Sequence, residues 1–248
     1  MTAVMSTIGL IGGMSWESSA LYYRLINQAA QRMLGGHHNA ISVLYTLDFE
    51  PLVQAGNAGR WDDVSASLAD AGRRLRAAGA DFFLLTANTA HLFAEDIERD
   101  CGLPLLHIGT ATAAAIRQAG LQRVGLIGTR HVTGSNFYID WFRDHHGIEV
   151  VPPPAADRAL LDRIVMEELT CGRVDAISRA HVLAVIDRMR LAGLEGVIVG
   201  CTELPLLLAD PGHPASIACY DTTRLHAEMA VSQALASRDP GTEVFHRI

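Results

Sequence analysis

Ser6-Thr7-Ile8-Gly9-Leu10-Ile11-Gly12-Gly13 returns later in the chain as Gln122-Arg123-Val124-Gly125-Leu126-Ile127-Gly128-Thr129. Each stretch is a short apolar run that stops at glycine, the pattern of a buried strand entering a tight turn. The likeness continues in order. Arg74-Leu75-Arg76-Ala77-Ala78-Gly79 is echoed by Arg188-Met189-Arg190-Leu191-Ala192-Gly193, and the run Phe82-Phe83-Leu84-Leu85 by Gly196-Val197-Ile198-Val199. Ala87 then aligns with Cys201, and more weakly Gly109-Thr110 with Asp221-Thr222. Echoes that keep their order point to two α/β lobes of one design, not to a solenoid.

Around these strands the pattern predicts helices over 15–33 and 61–78, the first capped by Ser15 with Glu17 in its opening turn. A strand is predicted over 41–49, and Pro152-Pro153-Pro154 reads as an internal loop before a core helix over 160–169. Strands alternating with helices predict parallel sheets covered on both faces, which accounts for the unalternated apolar runs. The expected fold is therefore α/β, with two pseudo-symmetric Rossmann-like lobes over 1–115 and 116–248. A C-terminal helix can pack back on the first lobe, and an active-site cleft is expected between the lobes. Ligands of such sheets bind beyond the carboxyl ends of the strands. The polar or glycine-rich strand ends are 12–14, 86–89, 128–130 and 200–203.

Composition narrows the chemistry. The 248 residues are 49% hydrophobic and 19% charged, too apolar for a disordered chain. A net charge of −7 with no basic stripe argues against nucleic acid as a partner. All 20 basic residues are arginine. Without lysine there is no Schiff-base residue for pyridoxal phosphate and no P-loop lysine for ATP. Gly12-Gly13-Met14 lacks the third glycine of a dinucleotide fingerprint. No apolar run reaches membrane-spanning length, and no signal peptide is read at the start. The thiols Cys101, Cys171, Cys201 and Cys219 are scattered, matching neither a disulfide framework nor a zinc cluster. The expectation is a cytoplasmic protein with no cofactor, no metal and no membrane partner.

The strand ends carry the candidate site. Cys201 follows a glycine and precedes Thr202 and Glu203. A thiol at such a turn meets backbone N–H groups and is expected to lose its proton more easily, although a small buried cysteine would look the same in sequence. Asn88 and Thr89 stand at the paired turn, able to hold a carboxylate or to cap a helix. Gly12-Gly13 and Gly128-Thr129 resemble anion-binding turns. The substrate-binding set is thus Gly13, Met14, Asn88, Thr89, Thr129, Thr202 and Glu203, with Cys201 catalytic. His91 and His226 are open between acid–base and core roles, and His37-His38 and His145-His146 read as loop histidines.

Three stretches carry a family resemblance: Gly9-Leu10-Ile11-Gly12-Gly13-Met14-Ser15-Trp16-Glu17-Ser18, Asn88-Thr89-Ala90-His91, and Gly200-Cys201-Thr202-Glu203-Leu204 followed by Tyr220-Asp221-Thr222-Thr223. Over about residues 5–235 the chain resembles the aspartate/glutamate racemases, on their aspartate and broad-specificity branch. The resemblance implies two pseudo-symmetric lobes, a homodimer, and racemisation of a small amino acid without metal or pyridoxal phosphate. One cysteine removes the α-proton and an opposed cysteine reprotonates the other face. The first of these cysteines is expected before Asn88, where this chain has Ala87. Three readings follow from that departure. The alanine is an engineered replacement that traps ligand; or the protein is a natural one-sided relative, such as a single-cysteine isomerase or decarboxylase of the arylmalonate type; or it is an idle carboxylate-binding protein. Asp48, after the second strand, would repel a distal carboxylate, whereas Arg130, Arg158 or Arg163 could hold one.

Overall fold

The computed structural model describes residues 5–209 and 212–236. In chain order the elements begin β1 (Ile8–Gly12), α1 (Trp16–Leu34), β2 (Ser42–Thr46), α2 (Phe49–Asn57), α3 (Trp61–Ala77), β3 (Phe82–Leu85), a 3-10 turn at Thr89–Phe93 and α4 (Ala94–Cys101). They continue α5 (Ile108–Gln118), β4 (Arg123–Ile127), α6 (Arg130–Thr133), α7 (Asn136–His146), β5 (Glu149–Val151), α8 (Ala155–Glu167) and a 3-10 turn at Leu169–Cys171. The last are α9 (Ala176–Leu191), β6 (Gly196–Val199), α10 (Pro205–Leu208), β7 (Ala218–Asp221) and α11 (Thr222–Ala236).

The chain divides into two compact units, one formed by Met1–Ile108 with His226–Ile248 and the other by Gly109–Leu225. The expected boundary at 115/116 falls inside α5. Each unit holds one parallel sheet, in the order β2-β1-β3 in the first and β5-β4-β6-β7 in the second. The expected pair of Rossmann-like α/β lobes is what the strands build.

In the first unit the two-residue period of a strand sorts the apolar residues between two cores. Ile8, Leu10, Phe82 and Leu84 pack with Tyr22 and Ile26 of α1 and with Ala227, Ala230, Val231 and Ala234 of α11. Ile11, Phe83 and Leu85 turn the other way, onto Leu68 and Leu75 of α3 and Ile97 of α4. All of these strand residues are buried, each aliphatic side chain contributing about 1.5–3 kcal/mol. The second unit repeats the scheme, with Ile127, Val197 and Val199 packed on Leu161 and Ile164 of α8 and Val182, Ile186 and Met189 of α9.

The strand expected over 41–49 ends at Thr46, and an unforeseen helix, α2, takes up Phe49. Asp48 is the N-cap of α2, its side chain accepting from the Glu50 amide at 3.4 Å. Its carboxylate therefore has a local structural task at the positive end of a helix. His145 and His146 lie in the last turn of α7, not in a loop. Trp141 stacks on His145 with ring centroids 4.9 Å apart. Pro154 is the N-cap of α8, which starts earlier than its apolar core alone suggested.

Candidate functional site

In the first unit the site region is built from the turns after β1 and β3. Gly13 has φ +89°, and a Cβ placed there would lie 2.1 Å from the Leu47 carbonyl oxygen. Glycine is required on both counts. The Gly13 amide donates to Ser19 Oγ at 2.9 Å, Ser19 Oγ lies 3.2 Å from Thr86 Oγ1, and it also donates to the Ser15 carbonyl at 3.1 Å. A buried hydroxyl network thus ties the two turns together. Ser15 caps α1 with φ +21°, the one non-glycine residue of positive φ among those described. Such backbone strain concentrates at functional turns. Met14 packs on the core that holds Ile11 and Leu68.

Thr86 is fully buried within that network, so its hydroxyl does not replace a base at position 87. Ala87 is half-buried and Asn88 buried. Asn88 makes no side-chain cap to the 3-10 turn that follows, while its carbonyl accepts from the His91 amide at 3.1 Å. Thr89, half-buried, opens that turn.

The histidines next to this turn are braces. His91 Nδ1 lies 3.0 Å from the Ala87 carbonyl, and the Ile108 amide donates to its Nε2 at 3.2 Å. Those partners fix a neutral ring, protonated at Nδ1. His226 Nε2 donates to the Leu106 carbonyl at 2.8 Å, leaving Nδ1 to accept from Tyr22 Oη at 2.9 Å. Burial pushes His91 down to about 4 and His226, helped by His91, to about 3. His107 stacks edge-on against His91 at 4.6 Å, yet among the described residues no three His, Cys, Asp or Glu side chains form a metal-binding group. The acid–base reading of His91 and His226 gives way to backbone positioning.

In the second unit β4 and β6 end side by side. Gly200 donates its amide to the Ile127 carbonyl at 2.8 Å, and a Cβ on Gly128 would come within 3.1 Å of the Gly200 oxygen. Thr129, half-buried, is the N-cap of α6, without a side-chain cap; its carbonyl accepts from the amides of Val132 and Thr133. The next amide, of Arg130, donates to Asp162 Oδ1 at 2.8 Å, and the Arg158 guanidinium to the Thr133 carbonyl at 3.1 Å. Thr222 is buried with its hydroxyl on the Val199 carbonyl at 3.0 Å.

Cys201, 5% exposed, follows β6 after the single residue Gly200. Its Sγ donates to Glu203 Oε2 at 3.1 Å, and Thr202 Oγ1 donates to the same oxygen at 2.7 Å. The expected acidic thiol is not what this turn makes. Burial, and then the adjacent Glu203 carboxylate, hold the Cys201 thiol well above its ordinary range, against backbone hydrogen bonds from Glu203 and Leu204 that pull the other way.

The family model for Asp/Glu/hydantoin racemases matches residues 11–230, which include both turns. The chain belongs to this racemase family. It is 43% identical to a Yersinia pestis protein classed with the Asp/Glu racemases, whose crystal structure superposes with a TM-score of 0.87 over 93% of this chain and 100% of that one. An aspartate racemase homologue from Pyrococcus horikoshii is 31% identical, with a TM-score of 0.80 over 93% and 99%. The broad-specificity amino-acid racemase RacX of Bacillus subtilis is 26% identical over 133 residues, 53% of this chain and 58% of RacX.

In this racemase-family chain, sequence reasoning placed Gly13, Met14, Asn88 and Thr89 around the first unit's turns and Thr129, Cys201, Thr202 and Glu203 around the second's. It missed Ser19, whose hydroxyl joins the turns after β1 and β3. The Ser18-Ser19 pair, buried on α1 one turn after the glycines, was the available signal. Glu203, expected in the substrate-binding set, accepts from Cys201 and Thr202 through Oε2.

Proposed function

We propose that the protein acts on the α-hydrogen of a small amino acid without a cofactor, with Cys201 as the group that exchanges the proton. The observation that carries this is a buried cysteine, paired with a carboxylate at the carboxyl end of a parallel strand, in a chain matched to the racemase family over 11–230. A carbanion next to a carboxylate is costly, so such a site needs preorganised donors. The proposed carboxylate donors are Asn88 and Thr89 in the first unit and Thr129 and Thr202 in the second, with Gly13 and Met14 shaping the turn after β1. Aspartate or glutamate is the leading substrate class by family. A homodimer in a reduced, cytoplasmic setting is part of the same proposal, supported by the family and by four free thiols.

Ala87 stands where the family resemblance puts the second base, and an alanine side chain transfers no proton. We therefore infer chemistry on one face: slow racemisation, one-sided exchange, or protonation of a carbanion made by losing carbon dioxide. The test is a panel of L- and D-amino acids and of small dicarboxylates, followed by NMR in D2O. Uptake of α-deuterium from one enantiomer well ahead of the other supports the one-sided reading, and rapid equal uptake from both rejects it. Carbon dioxide release from a malonate with no amino-acid exchange selects the decarboxylase reading. No response from the wild type or from Ala87→Cys rejects the enzymatic reading and leaves a binding protein.

A further inference from the structure

The thiol of Cys201 is buried, and the half-buried Glu203 carboxylate accepts its proton at 3.1 Å. A protonated buried thiol is a competent acid but an incompetent base. To remove an α-proton it must first give up its own. The Cys201 and Thr202 side chains both donate to one oxygen, Glu203 Oε2. Thr202 is a donor there, so it steadies the carboxylate and offers no place for the proton.

We propose that Glu203 is a proton relay for Cys201, passing the thiol's proton to and from water, and not a residue that holds substrate. This rests on the one-sided chemistry proposed above. In the forward step the Cys201 S–H bond breaks, its electron pair stays on sulfur, and the proton bonds to Glu203 Oε2. The thiolate then takes the substrate α-proton, the Cα–H pair remaining on carbon and spreading into the substrate carboxylate. Glu203 loses the proton it received to solvent, which its partial exposure allows. For exchange, the abstracted proton leaves sulfur through Glu203 to water and a solvent proton returns by the same path. The thiol gives that proton to carbon, and a last solvent proton, again through Glu203, restores the thiol. Atoms and charge balance with water as the only co-reactant.

A carboxylate that merely sat beside the thiol would act as a brake, since negative charge opposes thiolate formation. Removing it would then speed every thiolate reaction. A relay predicts a split. In Glu203→Gln, alkylation of Cys201 by iodoacetamide at mildly alkaline pH speeds up, because the opposing charge is gone. Uptake of α-deuterium by aspartate, glutamate or alanine falls at least about tenfold, because the proton has lost its way out. Both rates rising together would overturn the proposal. A second measurement needs no substrate. The S–H infrared band of Cys201, isolated by subtracting Cys201→Ser, is expected at neutral pH in the wild type. In Glu203→Gln it should shift to higher frequency and exchange more slowly with D2O. A band that is absent, or unchanged by the substitution, overturns the relay. If no amino acid exchanges with the wild type, the functional reading fails on that arm while the infrared arm still decides the pair.

Discussion

The turn after β3 and the turn after β6 begin alike and finish with opposite chemistry. Both follow a four-residue buried apolar strand that pairs in parallel with the first strand of its sheet. In the first, the residue after the buried Thr86 is Ala87, whose carbonyl is held by a neutral histidine. In the second, the residue after Gly200 is Cys201, whose thiol is held by a carboxylate. One half thus freezes its backbone with a ring held neutral, and the other keeps a thiol that carries a proton. A repeated fold supplies equivalent positions; the residue placed on each decides whether it reacts.

The glycine turns differ in the same way. Gly13 and Thr129 are equivalent in the repeat, yet Gly13 has φ +89° against the Leu47 carbonyl, whereas Thr129 has φ −66°. A side chain is forbidden at one and accommodated at the other.

Substitutions and a pH titration test this contrast, beginning with the largest effect. Cys201→Ser should lower α-deuterium uptake by about 10²–10⁴-fold, the usual worth of a general acid–base group, with the urea midpoint nearly unchanged. Uptake within about threefold of wild type would remove Cys201 from the chemistry. Gly13→Ala should cost about 3 kcal/mol or more in urea unfolding, since it adds a carbonyl clash to a strained φ. Thr129→Ala should stay within about 1 kcal/mol. Equal losses would deny that the two turns differ. Ala87→Cys supplies a titratable group where none exists and keeps the His91 bond, which is to backbone. Racemisation followed by circular dichroism should rise about 10²-fold if the repeat places position 87 to react. A folded variant with unchanged rate would make the first turn purely structural.

The smallest expected effect is on stability against pH. Unfolded histidine takes a proton near 6.5, whereas folded His91 resists until about 4 and His226 until about 3. The unfolded chain therefore binds more protons between those values. Stability is full above about pH 6.5 and is lost as pH falls toward 4. About 1–2 kcal/mol per ring should be gone by about pH 5 in urea titrations. His91→Gln should lower stability at neutral pH and flatten this slope; an unaltered slope would place the acid sensitivity elsewhere.

The sequence was readable where one residue pattern has one structural meaning. Phe82–Leu85 and Gly196–Val199 are apolar at every position because both sheet faces are covered, and both are strands. Glu149–Val151 is too short to show a period, and Ala218–Asp221 alternates neither in size nor in polarity, so β5 and β7 escaped. Helix α2 was missed because its first residue, Phe49, reads as the end of the strand before it, although the Asp48-Phe49-Glu50 start is a capping signal. At the site, the glycines and Cys201 could be placed from order alone. The state of the thiol could not, because it depends on where the Glu203 carboxylate turns. The tautomers of His91 and His226 depend likewise on backbone atoms distant in sequence.

Helix α11 has a consequence for biosynthesis. Its residues 227–234 complete the core under Leu10, Tyr22 and Ile26, and the Ala234 carbonyl accepts from the Ser6 amide at 2.9 Å. The first unit is therefore assembled from the opening and the closing stretches of the chain. On the ribosome its early strands must wait, one apolar face bare, while the continuous second unit is translated and folds ahead of it. A nascent chain halted at residue 225 should then present a protease-resistant 109–225 and a labile 1–108. The half made first becomes the half finished last.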